Sequence, residues 1–171
     1  MEKDQLVELI LEAYSARKEI KEYLEFFLNP DVGKLQAKYE IAVSKELNRV
    51  KRGGCCKARI SYIKSLVKEF ASFQPGFEAE MDMLFFTVSY AIAAESHLHF
   101  SETLMRGVAS LVQMLIDIAD TNLVIDKTVM HLNAMFNNER AGTRYFRRFL
   151  NDELASYMAM SRPLRAPVAR S

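Results

Sequence analysis

The sequence predicts an all-α protein of about eight helices, arranged as stacked antiparallel hairpins. Three observations support this fold class. Glycine and proline are scarce, at six and four of 171 residues, and the abundant Leu, Ala, Met, Glu and Lys favour helix over strand. Apolar residues recur at intervals of three and four, which is the spacing of one helix face. No alternating run is bounded by an Asn-Gly or Asp-Gly turn, which would indicate a hairpin of strands.

Four helices are expected in the first half of the chain. Their apolar residues lie in the segments 6–14, 20–28, 32–47 and 60–73. The first two segments are separated near Ser15 and form either a short antiparallel pair or one bent helix. Asn29-Pro30 ends the second segment, because the residue before proline is driven out of helical geometry. Gly53-Gly54 separates the third helix from the fourth, and Pro75-Gly76 ends the fourth.

Four more helices are expected in the second half. The fifth covers residues 77–99, and its segment 83–92 is apolar on nearly every side, which predicts a central helix buried all round. Ser101 and Asp126 are the predicted N-caps of the sixth and seventh helices. The eighth is expected over residues 143–158.

Residues 1–160 are predicted to form a single helical domain. Residues 161–171 hold three arginines and two prolines with little to bury, and we expect a disordered tail there. The hairpin spacing fits a closed helical bundle or a short α-solenoid-like array, and no residue pattern recurs at fixed offsets to decide between them. Met1 is followed by charged residues, and the apolar stretch 83–94 is shorter than the roughly 20 residues that span a bilayer. We therefore expect a soluble cytoplasmic protein with no membrane partner.

Motifs of the common enzyme classes do not occur in the sequence. It lacks the phosphate-binding Gly-x-x-x-x-Gly-Lys loop, the Gly-x-Gly-x-x-Gly turn, the His-Glu-x-x-His helix and the Gly-x-Ser-x-Gly elbow. The nearest approach to a metal site is Glu95 with His99, four residues apart on the expected helix, together with the distant His131. The alternative is that His97 and His99 are polar residues at a helix end, and we adopt this interpretation. The sequence thus predicts no catalytic, cofactor-binding or metal-binding residues, and no cofactor.

Two cysteines are adjacent in the sequence, Cys55 and Cys56. Their Cα atoms would lie about 3.8 Å apart, closer than ordinary disulfides accept, so we expect two free thiols. Arg52 and Lys57 lie nearby in the sequence, and neighbouring cations favour the thiolate form. A redox switch or an incidental pair in a loop are both compatible with this pattern.

Two basic segments, 49–59 and 140–148, are the strongest functional leads, because neither contains an acid. The candidate contacts to an anionic partner are Arg49, Lys51, Arg52, Lys57, Arg59, Arg140, Arg144, Arg147 and Arg148. The alternative is a solvated face that pairs with acids elsewhere. Tyr145 and Phe146 are interleaved with the second cluster, and we assign both aromatics to the core. The formal net charge of +1 favours local contact over general coating of nucleic acid.

Several stretches resemble an uncharacterised family of small all-helical proteins from Bacteroides-type bacteria, DUF6155. The stretches are 4–12, 21–30, Lys51-Arg52-Gly53 and 63–73, so the resemblance covers mainly residues 1–75. The sequence departs from the expected polar continuation at Gly54-Cys55-Cys56. The resemblance implies an all-helical, cytoplasmic bacterial protein with no assigned activity, and it supplies no catalytic residues.

Three functional hypotheses follow. The leading one is a non-enzymatic helical protein-interaction module that binds another protein, or a second copy of itself as a homodimer with the last helix as the seam. The alternative is a nucleic-acid-binding protein that uses segments 49–59 and 140–148. The third is an enzyme with an unrecognised helical active site near Glu95 and His99.

Overall fold

The computed structural model describes residues 3–161, and within them the chain forms eight α-helices and no strand. The helices are α1 Lys3–Ala16, α2 Lys18–Leu28, α3 Val32–Leu47, α4 Ile60–Ser72, α5 Phe77–Glu95, α6 Glu102–Thr121, α7 Ile125–Phe136 and α8 Arg144–Ser161. The all-α prediction is confirmed. The predicted disordered tail lies outside the described residues, apart from Ser161 at the end of α8.

The central helix is α5, which packs against α3, α4, α6 and α8. The nearly uniform apolar character of its sequence predicted this position, and Met83, Leu84, Val88 and Ile92 are all completely buried. The largest fully buried side chains around it come from α3, α4, α6, α7 and α8, which with α5 form the bundle. They are Tyr39, Leu47, Ile63, Phe70, Leu111, Leu115, Ile116, Phe136 and Phe146.

The hairpins α3–α4, α5–α6 and α7–α8 pack against one another in chain order, which gives an all-α, bundle-like fold. The contacts join neighbouring hairpins, as both a bundle and a short solenoid-like array allow. Among residues 3–161, none of the helices combines the length and the apolar character that crossing a membrane requires.

Most predicted helix boundaries agree with the structure. Ser101 caps α6 as expected, since its Oγ accepts a hydrogen bond from the Leu104 amide at 3.3 Å. Asp126 was a wrong choice of N-cap, because α7 begins one residue earlier and Val124 occupies the cap position. Asp126 lies instead in the first turn, where a carboxylate still favours the positive end of the helix dipole. The first two segments form two separate helices that meet at Arg17.

Candidate functional site

The loop between α3 and α4 is organised by a buried carboxylate, that of Glu46. It accepts hydrogen bonds from Arg49 Nη1 at 2.8 Å, from the Arg59 amide at 2.9 Å and from Arg59 Nε at 3.0 Å. Burial alone would raise the pKa of this carboxyl, but the hydrogen bonds from Arg59 and Arg49 outweigh it and lower the pKa to about 2. Arg49 and Arg59, both predicted as partner contacts, therefore hold the two ends of the loop together.

The same loop is bonded to the connection between α5 and α6. The Cys56 amide donates to the His99 carbonyl at 2.9 Å, and the His99 amide donates to the Gly54 carbonyl at 3.0 Å. Within the loop, Val50 pairs with Cys56 in antiparallel fashion. These backbone bonds fix segment 49–59 against the C-terminal end of the central helix.

The two cysteines are both free, as predicted, but their environments differ. Cys55 is exposed, whereas Cys56 is partly buried and its Sγ donates to the Leu47 carbonyl at 3.2 Å. Burial raises the pKa of the Cys56 thiol. The Glu46 carboxylate also raises the pKa of Cys56, so the direction is opposite to the thiolate that Arg52 and Lys57 were expected to favour.

The start of α8 is bonded to the end of α5. Glu95 accepts hydrogen bonds from the Thr143 amide and from Thr143 Oγ1, both at 2.9 Å, and Thr143 Oγ1 accepts from the Phe146 amide at 3.2 Å. Gly142 has a φ of +69°, and a Cβ there would lie 2.8 Å from the Ile92 carbonyl oxygen. Glu95 thus positions the first turn of α8.

The residues weighed as a metal or catalytic group do not converge. His99 lies in the α5–α6 connection, and His131 stacks on Phe85 with 4.3 Å between ring centroids. Within residues 3–161, no group of three or more His, Cys, Asp and Glu side chains is arranged to hold a metal ion. The structure brings Glu95 to Thr143 and not to either histidine.

Both basic segments lie at one end of the bundle, on either side of the α5–α6 connection. Segment 49–59 bonds to His99, and segment 140–148 bonds to Glu95 and places the Phe146 ring against Phe100, tilted by 59° with 5.7 Å between ring centroids. Eight of the nine predicted contacts are exposed. Apart from Arg49 and Arg59, which bind Glu46, they are six side chains: Lys51, Arg52, Lys57, Arg140, Arg144 and Arg148. We call these six side chains the basic end. Sequence alone did not show that the two segments lie at the same end of the bundle.

The remaining predicted contacts are engaged within the fold. Besides Arg49 and Arg59, Arg147 is half-buried and its Nη1 donates to the Phe136 carbonyl at 3.2 Å, at the C-terminal end of α7. Arg148 stays exposed and has Asp152 at 3.9 Å, one helical turn away. Surface pairs of this kind contribute little and leave the cation available.

The aromatic residues of segment 140–148 have opposite environments. Phe146 is completely buried, as predicted, but Tyr145 is 68% exposed, so its assignment to the core was wrong. The buried stripe of α8 consists of Phe146, Leu150 and Leu154, which repeat every four residues. Tyr145 falls outside that stripe, and applying the periodicity more strictly would have placed it on the surface.

A second surface lies on the hairpin of α1 and α2. Neither helix contains a buried residue, and α2 is the helix against which α1 packs. We call seven of its apolar residues, each between 44% and 81% exposed, the hairpin surface: Leu6, Val7, Leu9, Ile10, Leu11, Phe27 and Leu28. The predicted apolar faces exist, but this fold leaves them uncovered. By contrast, α8 buries Phe146, Leu150 and Leu154 in the core, and its role as the seam of a homodimer stays a prediction.

The hairpin is tied to the bundle through α2. Phe26 packs edge-on against Phe73 with ring centroids 5.4 Å apart, and Lys38 Nζ lies 2.6 Å from Glu22. An open cleft of about 680 Å³ lies between α2 and α3. Its three carboxylates are already engaged: Glu22 with Lys38, Glu25 with Tyr14, and Asp31 with the first turn of α3.

The model of a family of unknown function, DUF6155, matches residues 1–138. The chain belongs to this family. The resemblance noted over residues 1–75 is therefore confirmed and extends through α7. The DUF6155 match includes segment 49–59 and the hairpin surface, and it ends before segment 140–148. No curated protein and no solved structure matches the chain, so its function is unknown and has to be argued from the surfaces described above.

Proposed function

We propose that this DUF6155 chain is a non-enzymatic helical interaction module whose hairpin surface docks onto a second copy of the chain. One observation carries the proposal: α1 and α2 contain no buried residue and leave seven large apolar side chains exposed. Contiguous apolar surface of this kind usually marks an interaction site. The engagement of Glu95 with Thr143 supports the non-enzymatic part.

The apolar arc of α1 is wider than one neighbouring helix can cover. At 100° per residue, its apolar side chains run from Leu9 through Ile10 and Val7 to Leu11 over roughly 200°. A helix that packs on one side needs an apolar stripe of little more than about 100°. Because α2 covers only part of this arc, the remainder fits a second helical surface.

A second copy is the occupant that the hairpin itself favours. With 14 and 11 residues, α1 and α2 are in the length range where isolated helices are marginal. Two hairpins related by a two-fold axis form a four-helix arrangement in which each apolar face covers the other. Seven exposed side chains supply several hundred Å² of apolar area, comparable to the apolar part of the about 800 Å² that each partner contributes to a standard interface.

Two of the three acids on α1 lie away from this seam, and the third, Asp4 in the first turn, lies about 20° around the helix from Leu11 at the edge of the apolar arc. Glu8 and Glu12 lie roughly 160° around the helix from Ile10, the middle of the apolar arc. They would therefore point away from the seam, and the acidic face of one copy would not meet that of the other.

Sedimentation velocity of the full chain between low and high micromolar concentration tests the proposal. We expect a concentration-dependent dimer that Leu9→Gln with Leu11→Gln converts to a monomer. The matched control is Leu123→Gln with Met130→Gln, two apolar residues 88% and 74% exposed elsewhere on the surface, and it should leave the dimer intact. A parent chain that stays monomeric throughout, or a control that dissociates equally, contradicts the proposal.

The proposal includes a cytoplasmic location. Adjacent free thiols support it, because unpaired cysteines are typical of a reducing compartment. Fractionation of the native host tests the location. Recovery of the chain outside the cytoplasmic fraction would contradict it.

A further inference from the structure

We propose that the basic end binds single-stranded nucleic acid, with Tyr145 as the platform on which a base stacks. The inference is independent of the hairpin surface, which lies on other helices. It depends on three features of the structure: the position of two cationic segments at one end of the bundle, the six exposed cations that make up the basic end, and the position of one exposed aromatic ring.

The cations are brought together by a rigid framework. The hydrogen bonds of His99 with segment 49–59 and of Glu95 with Thr143 attach both segments to the end of α5. Glu46 holds the first segment closed from inside. Six exposed cations therefore stand on a preorganised surface, which reduces the ordering that binding a polyanion requires.

The near-neutral total charge hides a strong separation between the two ends of the bundle. Both ends are counted as the connections with four flanking residues on each side. Around the connections 48–59, 96–101 and 137–143 there are nine Lys and Arg residues and four acids. At the opposite end, where α4 meets α5 and α6 meets α7, there is one cation, Lys127, and five acids: Glu69, Glu78, Glu80, Asp120 and Asp126. A polyanion would be steered to one end and repelled from the other.

Tyr145 decides which polyanion fits. It is 68% exposed, and at 100° per residue Arg144, Arg148 and the Tyr145 ring fall within an arc of about 100° on α8. Cationic grooves with exposed aromatic rings bind single strands, because unstacked bases offer a free π-face. A duplex keeps its bases stacked inside, and an acidic peptide has no base to stack, so neither makes use of this ring.

Fluorescence anisotropy of the full chain with a labelled 20-nucleotide uridine RNA tests the inference, with a duplex of equal length and polyglutamate as competitors. Contacts from up to six cations predict that log affinity falls with log salt at a slope of about −3 to −4. Arg144→Glu with Arg148→Glu, or Lys51→Glu with Arg52→Glu, should lower affinity at least about tenfold. Lys34→Glu with Lys127→Glu, exposed lysines at the opposite end, are the matched control and should have little effect.

The stacking role has its own readout. Tyr145→Ala should weaken RNA binding by about tenfold without changing the salt slope, since a neutral ring contacts no phosphate. Tyr145→Phe should retain binding, and Tyr23→Ala, which removes a 40% exposed ring on α2, should be silent. Circular dichroism confirms that each variant is folded. Three results would each overturn the inference. The first is that the parent does not bind the RNA at low salt, and the second is that the control variants lose as much RNA affinity as the test variants. The third is that duplex or polyglutamate competes as well as the single strand while Tyr145→Ala has no effect.

Discussion

The bundle of α3 to α8 and the hairpin of α1 and α2 are both built of helices with apolar faces, yet they bury very different amounts of surface. α5 has helices on four sides and eight buried residues, whereas α1 and α2 have none. α5 is more apolar than α1 and α2, and it also has more neighbours. Apolar spacing shows that a helix has a face to bury, but it does not show what covers that face.

Replacement of one leucine in each region gives the largest contrast. Leu84 is completely buried in α5, and Leu9 is 53% exposed in α1. Leu84→Ala should lower the free energy of unfolding by about 2–5 kcal/mol, because it removes buried methyl groups and leaves a cavity. Leu9→Ala should change it by less than about 0.5 kcal/mol in a dilute monomer.

Urea unfolding at low micromolar concentration measures both values. If Leu9→Ala were as destabilising as Leu84→Ala under those conditions, the hairpin would be part of the folded core, and the contrast between the regions would fail. If Leu9→Ala lowered stability only at high protein concentration, the loss would come from weakened association of two copies. The hairpin would then differ from the core in the way proposed.

The bundle and the hairpin also differ in how each holds a carboxylate, Glu46 in the bundle and Glu22 in the hairpin. Glu46 is 5% exposed and links Arg49 with Arg59 in the bundle, whereas the Glu22 side chain is 30% exposed and ties the hairpin to Lys38. Glu46→Ala should cost about 2–3 kcal/mol, at the lower edge of buried-pair losses, because the two arginines that remain are exposed and regain water. Glu22→Ala should cost at most about 1 kcal/mol.

The pH dependence of unfolding checks the same pair. The pKa of Glu46 falls from 4.5 to about 2 in the fold, so its contribution is complete above pH 4.5 and is lost as the pH falls toward 2. The parent should lose stability in that window more steeply than Glu46→Gln. Hydrogen bonding to Lys38 also lowers the pKa of Glu22, and its contribution is lost in the same direction. Identical acid slopes for parent and Glu46→Gln would contradict the assignment.

The helices could be predicted from the sequence because their signals are local. The bounds of α3 follow from the spacing of its apolar residues and from Asn29-Pro30 before it, and the central position of α5 follows from its uniform apolar character. The cap of α6 follows from the single residue Ser101. Each of these depends on residues within a few positions of one another.

The arrangement of the surfaces could not be predicted, because it depends on contacts between distant segments. Thr143 and Glu95 are 48 residues apart, and Arg59 and Glu46 are 13 apart. A list of basic residues treats Arg49 and Arg144 alike, although packing turns one toward a buried acid and leaves the other in solvent. Tyr145 is the exception, since the stripe of α8 contained enough information to place it outside the core.

The last test compares two glycines that both lie in helices but have different surroundings. Gly107 of α6 packs so closely on α4 that an added Cβ would lie 2.2 Å from Ile60 Cγ1 and 2.9 Å from its Cβ, whereas at Gly33 of α3 the nearest atom would be 3.7 Å away. Alanine is the better helix former by up to about 1 kcal/mol. Gly33→Ala should therefore be neutral or stabilising by up to about 1 kcal/mol, while overpacking makes Gly107→Ala destabilising by about 1–2 kcal/mol.

A double-mutant cycle with Ile60→Ala decides whether the contact causes the loss at Gly107. Removing Cγ1 and Cδ1 of Ile60 removes the 2.2 Å overlap and leaves the 2.9 Å approach to its Cβ. Gly107→Ala should therefore cost less in the Ile60→Ala background than in the parent. Thermal or urea unfolding of the four proteins gives the coupling. If Gly107→Ala lowered the free energy of unfolding equally in both backgrounds, α4 and α6 would be able to move apart without strain. The packing of the bundle at this point would then be as loose as that of the hairpin of α1 and α2.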